Sequence, residues 1–82
     1  MSSEETLTTR EAVIQFLKLK PSVEFKSGEL AAGVKEMFPV KFENKKIPQL
    51  AAEIIAGSTQ WLKQSKDFHK SEETPWRYWW DD

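Results

Sequence analysis

Apolar residues in this chain recur three and four positions apart as far as about residue 64, and at every second position beyond it. The first spacing is that of a helix with one buried face, the second that of a half-buried strand. Thr8 and Glu11 form a capping box, in which hydroxyl and carboxylate each accept from a backbone N–H that the first helical turn leaves unpaired. Val13, Phe16, Leu17 and Lys20 then keep helical spacing, and Pro21 forbids continuation. Ser22 to Lys26 alternates apolar and polar, which predicts a short strand. Ser27 reads as the N-cap of a second helix with Leu30, Ala31, Val34, Met37 and Phe38 on one face and Pro39 as its stop.

A loop over Val40 to Lys46 leads to Pro48, placed where the first turn of a helix tolerates a missing N–H. Ile47, Leu50, Ala51, Ile54, Ile55, Ser58, Trp61 and Leu62 make the longest apolar stripe, and Gly57 beside it signals close packing or a slight bend. From Ser65 the period is two: Lys66 to Lys70, a turn at Ser71 to Pro75, then Trp76 to Trp80. Two such runs around a polar turn predict an antiparallel hairpin, with Trp76, Tyr78 and Trp80 on one face and Arg77 and Trp79 on the other. The expected fold is α+β and mainly α, with helices over 8–20, 27–38 and 47–64 and hairpin strands that include Phe68 and Tyr78. Phe16, Leu17, Leu30, Val34, Ile54 and Trp61 are expected to be mutually buried.

The chain of 82 residues has room for one domain, and with no cysteine that domain must be stabilised by its core, without disulfides or thiolate metal sites. Residues 1–7 read as a disordered polar tail and 81–82 as an acidic end. No apolar run reaches the roughly 18 residues of a membrane span, and Met1 to Glu5 lacks the features of a secretory signal. The expectation is a cytoplasmic, intracellular protein with no membrane contact.

Element order here resembles the winged helix-turn-helix superfamily over Thr8 to Trp80. The resemblance implies a winged helix domain over 8–80: Phe25 to Ala31 as short strand and second helix, Ile47 to Gln64 as recognition helix, and a C-terminal β-hairpin wing tipped by Ser71 to Pro75. Glu72 and Glu73 depart from the basic tip usual for a DNA-reading wing.

Net charge is −1, but Lys41 to Lys70 holds six bases against three acids, and the segment from Ser71 holds four acids against Arg77 alone. Winding the third long helix puts Gln49, Ala52, Glu53, Ala56, Thr59, Gln60, Lys63 and Gln64 opposite its apolar stripe. Gln49 and Gln60 carry the donor and acceptor that match an adenine edge in the major groove, and Glu53 opposes DNA unless it accepts from a cytosine amino group. Asn44, Lys45 and Lys46 precede the helix, where side chains and terminal amides together can hold a phosphate. The same features fit a solvated helix face and an idle basic loop.

These residues make duplex DNA the expected partner, in a regulatory or targeting module. The alternative is a protein-interaction module, with Arg77, Trp79 and Trp80 contacting a protein partner or a second copy. Stacking of single-stranded bases on the hairpin is a third reading, with only Arg77, Lys66 and Lys70 as nearby bases. No catalytic or metal residues are assigned: His69 is the sole histidine, and glycines at 28, 33 and 57 form no phosphate-cradling loop. Neither a cofactor nor a small-molecule substrate is expected.

Overall fold

The computed structural model describes residues 6–81; expectations for residues 1–5 and for Asp82 lie outside them. In chain order the elements are α1 (Thr9–Lys18), β1 (Phe25–Lys26), α2 (Ser27–Met37), α3 (Pro39–Phe42), α4 (Ile47–Gln64), β2 (Phe68–Lys70) and β3 (Arg77–Trp80). Among the described residues, the architecture is α+β and mainly helical, with one antiparallel sheet ordered β1-β3-β2.

Helix α1 begins as its capping box requires, with Thr8 Oγ1 accepting from the Glu11 amide at 3.1 Å and Glu11 Oε1 from the Thr8 amide at 3.4 Å. It ends at Lys18, two residues short of the expected Lys20. The residue before a proline is pushed out of the helical region, and the chain turns at Ser22, whose φ of 66° is left-handed. Ser22 also donates to the Trp80 carbonyl at 2.8 Å. That turn confines β1 to Phe25–Lys26 instead of the five residues from Ser22 to Lys26.

For α2 the N-cap is Lys26, not Ser27, which is the first helical residue. Lysine has no side-chain acceptor, so this cap is half a box: Glu29 Oε1 accepts from the Lys26 amide at 2.8 Å. Pro39 stops α2 as expected but also starts α3, a short helix in place of the expected loop. Phe42 anchors it, fully buried although absent from the expected core.

Leu17, Leu30, Val34, Ile54 and Trp61 are buried as expected, joined by Val13, Leu50, Phe68 and Tyr78. Phe16 instead lies half-buried at the edge, its ring 5.0 Å from that of Phe25. Ile47 leaves the apolar stripe and is 42% exposed. Leu7, expected in the tail, packs against the core. Gly57 marks close packing: a Cβ there would lie 2.6 Å from Cζ2 of Trp61.

The hairpin registers Phe68 with Trp80, His69 with Trp79 and Lys70 with Tyr78, while β1 registers Phe25 with Tyr78 on the other edge of β3. With one face of the sheet against the core, β3 buries Tyr78 and Trp80 and leaves Arg77 exposed, the alternation expected of it. Phe68 stacks on Tyr78 at 5.9 Å and meets Trp61 edge-on at 6.1 Å, which joins sheet to α4.

Candidate nucleic-acid interface

Helix α4 is oriented by what it buries. Leu50, Ile54, Ser58 and Trp61 face inward, and the Ser58 hydroxyl, the one buried polar side chain among them without an aromatic body, donates to the Ile55 carbonyl at 2.8 Å. Its start is set by Lys46 in extended conformation and Pro48 in the first turn. With that side fixed, the 100° turn per residue leaves the opposite side outward. Gln49, Ala52, Ala56, Thr59, Gln60, Lys63 and Gln64 are all exposed. From Gln49 to Gln60 this outer face runs roughly 16 Å at 1.5 Å per residue.

Glu53 is the exception on that face. It is half-buried, and its Oε1 accepts from Lys45 Nζ at 2.5 Å. Lys45 is held at its other end too, because Lys35 Nζ donates to the Lys45 carbonyl at 2.5 Å. The expected phosphate cluster therefore divides. Asn44 and Lys46 are exposed, whereas Lys45 reaches from the loop before α4 onto a carboxylate of that helix. Lys45, expected at a phosphate, is thus engaged with Glu53 in the free protein, unlike Asn44 and Lys46. The same pair occupies Oε1 of Glu53. Neither the pairing nor the part of Lys35 follows from helical spacing, since the contacts cross from α2 to a loop and from the loop to α4.

Lys46, Lys63 and Lys66 are exposed and have no side-chain partner among the described residues. They stand at the N-cap of α4, in its last turn and just after it. Lys66, expected only as a base beside the hairpin rings, is not among the residues expected at duplex DNA, although its position two residues beyond the helix end is legible.

On the hairpin, the structure separates the three residues expected to meet a protein partner. Trp80 is 7% exposed and part of the core, so it is withdrawn as a surface contact. Burial follows from its register opposite Phe68 on the inner face. Arg77 and Trp79 do share the outer face, with Arg77 Nε 3.3 Å from Glu24 Oε1 and Trp79 half-buried against His69, rings 5.6 Å apart and 18° from parallel. Glu72 and Glu73 are exposed in the intervening turn, which is braced by Ser71: its Oγ accepts from the Arg77 amide at 2.9 Å and donates to the Glu73 carbonyl at 3.1 Å.

Among the described residues no group of three or more histidine, cysteine, aspartate or glutamate side chains is placed to hold a metal ion, and no helix is long and apolar enough to cross a membrane. Comparison of the chain with protein-family models, with curated proteins and with solved structures returns no match.

Proposed function

We propose that this protein binds duplex DNA as a winged helix-turn-helix module, with α4 lying in the major groove and the β2–β3 hairpin as its wing. The observation that carries this reading is the outer face of α4, exposed along its length and with its one carboxylate ion-paired to Lys45. A groove about 12 Å wide admits such a helix, and small residues at Ala52 and Ala56 allow close approach of its backbone. Gln49 and Gln60 are the base-reading side chains, while Asn44, Lys46, Lys63 and Lys66 meet phosphates. The acidic hairpin tip stays off the backbone. The role is regulatory or targeting, and no catalysis is assigned.

Binding to random and selected duplexes, followed by fluorescence anisotropy over a salt series, tests this. Replacing Lys46 and Lys63 together with alanine should weaken binding to every sequence and flatten the slope of log K against log salt by up to roughly two. Gln49→Ala should instead lose about 1–3 kcal/mol of discrimination at one base pair. Lys45→Ala should weaken binding by freeing the Glu53 charge, and Glu53→Gln in that background should restore it. Absence of duplex binding at low salt, or chemical-shift changes confined to the hairpin, would overturn the reading.

One observation favours a second reading, a protein-interaction module with a partner or a second copy on the outer sheet face. There Trp79 offers a half-exposed indole braced by His69 and flanked by Arg77. On that reading the lysine and glutamine replacements are silent, and Trp79→Ala abolishes association.

A further inference from the structure

A cleft of about 310 Å³ opens where α1 meets the end of α4 and the last strand, lined by Arg10, Glu11, Ile14, Lys18, Ser65 and Trp80 among others. None of these belongs to the outer face of α4. Two N–H groups of lining residues, both covered from solvent, have no acceptor among the described residues: Nε of Arg10 and Nε1 of Trp80. The Trp80 side chain is more than nine-tenths buried, so bulk water does not serve its donor. Folded proteins almost always satisfy such groups, so each of these two donors, on residues of one cleft, calls for an acceptor.

The rest of the lining says what kind. The guanidinium of Arg10 is anchored, with Nη2 donating to Ser65 Oγ at 3.0 Å, which leaves its Nε edge for another partner. Lys18 Nζ lies 5.0 Å from the centre of the Trp80 ring and adds a second positive charge. Glu11, the carboxylate of the lining, is engaged in the cap of α1, where it accepts from the Thr8 amide and hydroxyl. Ile14 and the Trp80 ring supply apolar wall. Two cations, two N–H donors and an apolar wall match an anion with two acceptor oxygens on a flat apolar body.

We infer that this cleft binds a small organic carboxylate, with the carboxylate accepting from Arg10 Nε and Trp80 Nε1 and its body against Ile14. The volume is at the lower end of ligand pockets, roughly 300–1,000 Å³, which limits the occupant to about one ring and its carboxylate. Both nitrogens are covered, so the occupant reaches them through side-chain adjustment. This activity is independent of DNA binding, since it uses none of the residues assigned to DNA, and failure of either leaves the other standing.

The test is a ¹H–¹⁵N titration of the whole chain with benzoate, and with benzyl alcohol as its uncharged counterpart, at constant ionic strength. Trp80→Phe removes the donor, keeps an aromatic ring, and identifies the Trp80 indole peak by its loss. Saturable movement of the Trp80 indole proton and the Arg10 Nε proton with benzoate, absent with benzyl alcohol, is the expected result. Arg10→Gln should weaken it at least several-fold with amide dispersion retained, and this variant decides the matter if Trp80→Phe does not fold. Equal response to benzyl alcohol, linear unsaturated shifts, or no shift would overturn the inference. So would a persistent cross-relaxation signal from water to the Trp80 indole proton in excess benzoate, which would make bound water the acceptor.

Discussion

Replacing Gly57 with alanine sets two sizeable terms against each other. In a helix interior alanine is favoured over glycine by about 1 kcal/mol, so α4 taken alone predicts a gain. A Cβ at this position, however, would lie 2.6 Å from Cζ2 and 2.8 Å from Cε2 of Trp61, well inside contact distance. The ring must then move by most of an ångström. Its freedom to do so is small, because Trp61 is buried and its ring meets Phe68 at 70°. Forcing an extra methyl group into a packed site costs about 1–3 kcal/mol. The clash therefore wins, and Gly57→Ala should lose about 0–2 kcal/mol. Gly28→Ala is the control: nothing lies within 4 Å of its Cβ position, and it sits in the first turn of α2. There the propensity term acts alone, for a gain of about 0.5–1 kcal/mol. Gly33→Ala should resemble Gly57→Ala, with Phe16 as the obstructing ring. Urea unfolding at constant m reads all three. Trp61→Phe, which shortens the obstructing side chain, should make Gly57→Ala less damaging than in the parent, a coupling that a double-mutant cycle isolates. If Gly57→Ala stabilises as much as Gly28→Ala does, ring packing imposes nothing at this site.

Three further changes test the core and the turn. Ile54→Ala removes a fully buried side chain from the inner face of α4 and should lose about 2–5 kcal/mol by thermal or urea unfolding; a loss below about 1 kcal/mol would mean that the site collapses freely. Tyr78→Phe deletes a buried hydroxyl that has no partner among the described residues, so unfolding should show a neutral change or a gain of about 1 kcal/mol, and a clear loss would reveal a further hydrogen bond. Ser22→Gly should gain about 0.5–1 kcal/mol, since the left-handed φ of 66° disfavours any residue with a Cβ, and a loss would refute that origin of strain.

The elements legible in the sequence were those with a long repeat or a chemical stop. Both long stripes and the change to period two at Ser65 placed α2, α4 and the hairpin within about two residues. Helix α3 was missed because a proline read as a stop also starts a helix, and a four-residue element shows no period. Phe38 and Phe42, four apart around that proline, were the available hint. Phe16 and Ile47 have the right spacing for burial but lie where the stripe reaches the rim of the domain, a boundary that only packing defines. Trp80 illustrates the opposite case. Alternation puts it with Tyr78 on the inner face, while the protein-partner reading makes it a surface contact, and its register opposite the buried Phe68 resolves the conflict.

Electrostatics was the least legible property, because a lysine counted in a segment is not a lysine available to a phosphate. Of the six bases from Lys41 to Lys70, Lys45 is paired with Glu53, while Lys41 and Lys70 lie over the rings of Phe42 at 5.5 Å and Trp76 at 3.9 Å. That leaves Lys46, Lys63 and Lys66 as the exposed, unengaged set. Surface charges act over about 8 Å at physiological salt, so the net charge of −1 and the acidic hairpin tip weigh less than these three where α4 meets a groove. Three phosphates neutralised at about 0.9 each give a log–log salt slope near −2.7. A measured slope beyond about −5 would require lysines now engaged elsewhere to be released on binding, beginning with Lys45, and would make the Lys45–Glu53 pair a switch opened by the nucleic acid.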